Sequence, residues 1–130
     1  MTQENVETVR RLYRAFEEGD DEGLLACLSP EVDWYMPDSL PYVGRFRGPQ
    51  EVRRYFDQLP TYVERGSVES LRVLDGDDCV VVLGHWRSRT VDGVEFDTPF
   101  VNVFELRDEK VVRFHAYPDT ARILAAFGSS

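Results

Sequence analysis

In the run Pro99-Phe100-Val101-Asn102-Val103-Phe104-Glu105-Leu106, a strand would place Phe100, Asn102, Phe104 and Leu106 on one face. Val101, Val103 and Glu105 would take the other, because side chains alternate along an extended chain. The run is rich in β-branched and aromatic residues, which suit that conformation. A carboxamide among two phenylalanines and a leucine must find hydrogen-bond partners, or it costs about 1–3 kcal/mol. Two readings of Asn102 stand side by side. Either neighbouring protein groups satisfy it, or it is a polar handle kept in an apolar pocket for a ligand. The second stretch with chemical potential is Cys79 to Thr90. One face carries Val81, Leu83, His85, Arg87 and Arg89, and the other Val80, Val82, Gly84, Trp86 and Ser88. Histidine is the side chain suited to proton transfer near neutral pH, which makes His85 the candidate for moving a proton. Arg87 suits a carboxylate or enolate oxygen held through two parallel N–H bonds. Equally, this ladder can face solvent or a partner subunit, with both residues paired to surface acids.

Other chemistries lack their residues. His85 and His115 lie on separate predicted strands, and no HxH, HExxH or cysteine pair completes a metal site. Gly44-Arg45-Phe46-Arg47-Gly48 follows no predicted strand and carries two arginines around a bulky phenylalanine, so it is no phosphate cradle. There is no GxSxG elbow, and neither cysteine sits in a nucleophile motif. The expectation is chemistry without a cofactor or metal.

The elements that must position these residues follow from periodicity. Val6, Val9, Leu12, Tyr13 and Phe16 recur at helical spacing from about Gln3 to Glu18, with Gly19 placed to end the helix. Asp20-Asp21 can cap a short second helix carrying Leu24, Leu25 and Leu28, stopped at Ser29-Pro30. Val32 to Met36 reads as a strand with Val32, Trp34 and Met36 on one side. Pro37 to Gly48, with Tyr42, Arg45 and Arg47, reads as a loop. Pro49 opens a third helix to about Leu59, with Val52, Tyr55, Phe56 and Leu59 as its apolar stripe. The period then changes to two. Strands are expected at Ser67–Leu74, Cys79–Thr90, Glu95–Leu106 and Lys110–Tyr117, the middle pair joined at a hairpin signal, Asp92-Gly93. Asp119 can cap a terminal helix, Thr120 to Phe127. Helices first and antiparallel strands afterwards make an α+β domain, a curved sheet with helices over one face.

The 130 residues suit a single domain, 1–130, with enough chain for a real core. No apolar run approaches the ~18 residues of a membrane span, and Met1-Thr2-Gln3-Glu4-Asn5 lacks the basic and apolar regions of a secretory signal. A formal charge of −9 argues against nucleic acid and is most simply a solubility feature. Cys27 and Cys79, without CxxC spacing, read as reduced, core-filling thiols in a cytoplasmic protein.

Tyr13-Arg14-Ala15-Phe16 followed by Gly19-Asp20, the Pro30 stop, the Gly48-Pro49 helix start and the hairpin series resemble the nuclear transport factor 2-like superfamily. Within it the chain is similar to the SnoaL-like polyketide cyclase and ketosteroid isomerase group. The run Val111 to Thr120 resembles the closing strand and helix start of SnoaL-like proteins. The resemblance implies a cone-shaped, curved antiparallel or mixed sheet with helices on its concave face, a cystatin-like α+β barrel. It also implies an apolar cavity and a homodimer through the outer sheet face. Tyr13 matches the first-helix tyrosine that donates to the oxyanion in ketosteroid isomerases. Asn102 falls where those enzymes hold a protonated acid, and its NH2 can still donate. The isomerase general base aligns with Met36, which accepts no proton, so the usual isomerase mechanism is not expected.

The resemblance further implies that His85 and Arg87 point into the cavity mouth, leaving Trp86 to a subunit contact. By the same analogy Phe114 lines the cavity and His115 looks outward. SnoaL-like cyclases use an acid-base residue near this part of the fold, which keeps His115 and Asp119 as secondary candidates. Asp119 has the simpler reading of a helix cap. Trp34, Met36, Phe56, Phe100 and Phe104 are expected in the core and in the pocket wall, favouring a flat or polycyclic ligand. Two functions follow. One is a cofactor-independent isomerase, cyclase or hydratase acting on an apolar, oxygenated, steroid- or polyketide-like molecule. In it His85 shuttles the proton, Tyr13 and Asn102 stabilise the oxyanion, and Arg87 orients the substrate. The other is a non-catalytic ligand-binding or dimeric scaffold module with the same cavity.

Overall fold

A computed structural model describes residues 2–41 and 43–128; Tyr42, expected in a loop, lies outside them. The first helix, α1 (Thr2–Glu18), turns its apolar stripe inward, and Val9, Leu12 and Tyr13 are buried. It ends in a left-handed Gly19 (φ 72°), where the N–H groups of Gly19 and Asp20 return to the carbonyls of Phe16 and Ala15 at 3.2 and 2.9 Å. Asp20 then caps α2 (Asp21–Leu25) by accepting from the Gly23 N–H at 2.9 Å. Arg65 ties this corner down. It donates to the Phe16 carbonyl (3.2 Å) and to Asp21 (3.0 Å), and its guanidinium lies over the Phe16 ring at 5.2 Å.

The strand β1 (Leu28–Tyr35) starts four residues earlier than expected, passing through an irregular register between Leu28 and Asp33. Pro30, which has no N–H to give, is tolerated there. Arg45–Arg47, expected as loop, is a short strand, β2. It pairs antiparallel with β1, and the Arg45–Asp33 ion pair (3.3 Å) links the two. A three-residue run between glycines carries no period of its own, so only its partner makes it a strand. Helix α3 (Gly48–Gln58) follows, with Val52, Tyr55 and Phe56 buried as the spacing predicts. A single 3-10 turn, Leu59–Thr61, leads to β3 (Ser67–Asp75), β4 (Cys79–Arg89), β5 (Glu95–Arg107), β6 (Lys110–Pro118) and α4 (Thr120–Ala126).

Among the described residues six strands form one curved, unclosed sheet in the order β2-β1-β6-β5-β4-β3. The β1–β6 pair is parallel and the other pairs are antiparallel, so the sheet is mixed. The helices and the inner sheet face enclose the core. On β5 the inner face carries Phe96, Thr98, Phe100, Asn102 and Phe104, all buried.

The faces of β4 are the reverse of what the resemblance implied for His85 and Arg87, and the hairpin loop sets them. A two-residue Asp92-Gly93 turn would pair Val91 with Val94 and set His85 opposite Phe100. The loop instead takes Val91, Asp92 and Gly93, with Gly93 at φ 93° and hydrogen bonds closing from Thr90 N–H to Val94 O and from Gly93 N–H to Thr90 O. That one-residue change moves every side chain of β4 to the other face. Val82 stands opposite Asn102, Gly84 opposite Phe100 and Trp86 opposite Thr98. Val80, Val82, Gly84, Trp86 and Ser88 therefore face the helices, and His85, Arg87 and Arg89 the outside. Gly84 is needed at its place, because a Cβ there would sit 2.9 Å from the tip of the Phe100 ring.

Candidate functional site

Between the inner sheet face and the helices lies a partly open cavity of about 110 Å³. Its wall is aromatic and aliphatic, with Trp34, Phe56, Phe100, Phe114 and Ile123 among its residues. Its polar side chains come from several elements: Tyr13 from α1, Trp34 from β1, Tyr55 from α3, Trp86 from β4, and both Asn102 and Thr98 from β5. Asn102 Nδ2 donates to the Tyr13 hydroxyl oxygen at 2.7 Å, across a sequence separation of 89 residues. Tyr13 is fixed by two phenylalanines of β5. Phe100 stacks beside it at 6.3 Å, and Phe104 meets it edge-on at 5.9 Å. Trp34 stacks on Phe114 at 4.0 Å, as their pairing across the parallel strands allows, and meets Phe56 edge-on at 6.1 Å.

Two buried polar atoms of residues in this wall have no protein partner, Asn102 Oδ1 and Trp34 Nε1, and both are shielded from the cavity itself. Both residues are buried, Asn102 9% exposed and Trp34 3%. Asn102 is thus only half satisfied by the protein. The Tyr13 oxygen accepts from Asn102, so its own proton remains to be given away. Among the described residues that line the cavity there is no carboxylate, histidine, lysine or arginine.

Burial pushes the Tyr13 phenol well above its ordinary value, an effect that the Asn102 bond opposes only in part. Its folded pKa therefore exceeds its unfolded one. The associated stability is whole below about pH 10 and falls above it by up to about 1.4 kcal/mol per pH unit, as the unfolded phenol ionises and the folded one does not. In a series of urea unfolding curves on the alkaline side, Tyr13→Phe is expected to remove that part of the slope. An unchanged slope would show that Tyr13 ionises as freely in the fold as outside it.

The other expected site residues divide sharply. Met36, Phe56, Phe100 and Phe114 line the cavity with Trp34. Phe104 does not. It is fully buried behind the wall, where it supports Tyr13 and Phe114. His85 and Arg87 do not reach the cavity mouth, as was expected of them. They lie on the outer face, with His85 Nδ1 3.2 Å from Asp97 Oδ1 and the Arg87 guanidinium near Asp97 and Glu69 at 3.9 and 3.8 Å. Trp86, expected in a subunit contact, faces inward and lines the cavity. Its Nε1 donates to the Arg65 carbonyl at 2.7 Å, and its ring meets Phe96 edge-on at 5.3 Å.

His115 is on the outer face, stacked against Tyr117 at 4.5 Å and edge-on to Tyr35. Asp119 caps α4, accepting from the Arg122 N–H at 3.3 Å, while its own N–H donates to Thr98 Oγ1 at 3.0 Å. Wall residues missed by the sequence reading include Thr98, Trp86, Tyr55 and Ile123. Thr98 was within reach, since it shares strand parity with Phe100 and Asn102. Trp86 depended on the loop length.

The model of the SnoaL-like domain matches residues 9–114, a span that takes in both Tyr13 and Asn102. The chain belongs to the SnoaL-like family. Among solved structures, an NTF2-like protein of unknown function from Burkholderia pseudomallei K96243 is 33% identical, with 95% of this chain and 96% of that one covered and a TM-score of 0.87. TerC, co-crystallised with polyporic acid, is 25% identical, with 97% and 99% covered and a TM-score of 0.88. A candidate polyketide cyclase from Xanthomonas campestris pv. campestris shares the fold at 19% identity, with 96% and 97% covered and a TM-score of 0.85. No protein of curated function matches the sequence.

Beyond the SnoaL-like cavity, Cys27 is buried and Cys79 half-buried, and both are free thiols. Burial pushes the Cys27 thiol up, against the nearby charges of Arg11 and Lys110. Among the described residues no cluster of metal-ligating side chains forms, and no helix is long and apolar enough to cross a membrane.

Proposed function

We propose that this SnoaL-like protein captures a small, neutral, largely aromatic molecule in its cavity, with the Tyr13 hydroxyl donating to a ligand oxygen. The observation that carries the reading is an apolar wall holding one hydrogen-bonded phenol–amide pair whose capacity the protein leaves partly unused. An isolated charge would be costly in that wall, so the ligand is neutral. A cavity of about 110 Å³ suits a single ring with the remainder projecting through the opening; a fully enclosed steroid does not fit it as it stands. TerC, whose structure was determined with polyporic acid, supports an organic ligand for the fold.

Without a base in the wall, binding is the better-supported role. Catalysis in this cavity would consist of carbonyl polarisation by Tyr13, with the proton acceptor supplied by the substrate or water. A thermal-shift and calorimetric titration with acetophenone and ethylbenzene tests the reading. At one hundred times its Kd, a ligand raises stability by about 2.7 kcal/mol. The ketone is expected to bind more tightly than the hydrocarbon, by a margin that Tyr13→Phe removes. If neither compound binds, the pocket is not a ligand site.

We also propose that the outer sheet face meets a second copy of the chain. Tyr117 (52% exposed) and Val101 (37% exposed) form an exposed aromatic and aliphatic patch beside His115 and Leu83. Residues of both signs rim it, Arg87 with Glu69 and Asp97 and Arg113 with Glu105, so no excess of one charge opposes a like-with-like contact. Sedimentation of the wild-type protein is expected to give a dimer, and Tyr117→Glu a folded monomer. A monomeric wild type at high concentration would dismiss the interface.

A further inference from the structure

The outer face of the sheet carries both histidines of the chain, in different surroundings. Strand register lines up Tyr35, His115, Val103, Val81 and Leu74 in one row across β1, β6, β5, β4 and β3. A second row, Tyr117, Val101 and Leu83, runs beside it. These rows are the apolar part of the face, and Leu74, Val101 and Tyr117 stand exposed in it. His115 lies inside the patch, half-buried, with Tyr117 stacked on its ring at 4.5 Å and Tyr35 edge-on at 4.5 Å. His85 lies at the charged margin, its Nδ1 3.2 Å from Asp97 Oδ1. Along the opposite margin Arg47, Asp33, Arg113 and Glu105 alternate in sign across the register. An otherwise acidic chain can therefore meet its own copy here without like-charge repulsion.

The charged groups around His115 already have partners. On β6 itself, Arg113 shares the face and pairs with Glu105 of β5 at 3.8 Å. On β1, Asp33 pairs with Arg45 of β2 at 3.3 Å, and that guanidinium also lies over the Tyr35 ring at 5.6 Å. The residues set directly across from His115 are Tyr35 and Val103, neither of them an acid. Among the described residues the histidine paired with a carboxylate is His85 and not His115. An imidazolium at position 115 thus depends on water to solvate its charge.

We infer that His115 makes the association of two copies through this face sensitive to pH, weakening it on acidification. This rests on the outer-face contact proposed above and adds what controls it. Histidine changes charge between about pH 5 and 8. A second copy laid on the apolar rows takes water from His115 and brings the same apolar rows in its place. Burial without a counter-charge disfavours the charged form, so His115 holds its proton less firmly in the pair than in the single chain. Association is then whole above the single chain's pKa and is lost as the pH falls through it. Each copy brings one His115, so two protons oppose each dimer, and the limiting slope is about one hundredfold in Kd per pH unit. Net charge predicts the opposite trend. Acid reduces the charge of −9 on each copy and with it their mutual repulsion, which would tighten the dimer.

The test is sedimentation of the full chain from about pH 8 to about pH 5.5, a range in which ordinary surface carboxylates stay ionised. Kd is expected to rise on acidification by about tenfold or more. His115→Gln should dimerise with a Kd that is flat across the range, and His85→Gln should keep the wild-type slope. A second readout uses the wild-type protein. The His115 Cε1–H proton resonance, which survives in His85→Gln, should titrate with a midpoint that moves to lower pH as the protein is concentrated. A Kd that is flat or falls on acidification overturns the inference, as does a His115 midpoint that ignores concentration. A slope that survives in His115→Gln overturns it too. In each of those cases the dimer stands and its proposed control goes. A wild type that stays monomeric at every pH removes the contact itself, and the inference with it.

Discussion

Phe104→Ala is expected to lower the unfolding free energy by about 3–5 kcal/mol, out of a total that for a domain of this size is about 5–15 kcal/mol. Phe104 is fully buried, and it touches both halves of the site. Its ring meets Tyr13 edge-on at 5.9 Å and Phe114 at 4.9 Å, and Phe114 in turn carries Trp34. Removing it opens a void between α1 and the centre of the sheet. The surrounding strands cannot close that void, because their register is fixed on both sides. The effect should therefore be read in stability and in binding together. Urea unfolding should show the midpoint falling with the slope unchanged, and ligand affinity should drop as Tyr13 loses its support. A loss under about 1 kcal/mol, the range of an ordinary surface change, would mean that Phe104 is not what holds Tyr13 in place.

The second large effect is non-additivity between Tyr13 and Asn102. Tyr13→Phe removes the partner of the carboxamide, leaving it wholly unsatisfied at a cost of about 1–3 kcal/mol. Asn102→Leu exchanges an unpaired oxygen for an unpaired phenol and should be close to neutral. Tyr13→Phe/Asn102→Leu removes the buried polar groups together, and stability should return to the wild-type value or above it. The coupling energy is then about 1–3 kcal/mol, and it is favourable only when both residues are present or both absent. Affinity for the ketone should fall in all three variants. A double variant as stable as the wild type but without the preference for ketone over hydrocarbon would separate the pair's role from fold maintenance. Strictly additive stabilities would show that the 2.7 Å contact carries no net energy.

The described residues place their elements largely where composition and periodicity put them. The 3.6-residue stripe of α1 already puts Tyr13 on the buried face beside Val9, and strand alternation already sets Asn102 among Phe100 and Phe104. Those facts are local, because a single chain segment with the correct period must turn one particular face toward apolar surroundings. Asp119 as a helix cap is local in the same sense, as it needs only the N–H three residues on.

What only the tertiary structure decided is which of two plausible faces of β4 looks inward. Both faces carry aliphatic residues, so burial preference alone does not choose between His85 with Arg87 and Trp86 with Ser88. The length of the Val91–Gly93 loop chooses, since one residue more or less reverses strand parity. The same holds for β2, which is a strand only because β1 lies beside it. It holds also for the unpaired Asn102 Oδ1 and Trp34 Nε1, because a missing partner is a property of everything around an atom and not of the residue that carries it. The sequence determined the chemical groups and the faces of its most periodic elements. Tertiary register determined which of those groups share a cavity, because pairing across strands is set by loop geometry and by neighbours distant in the chain.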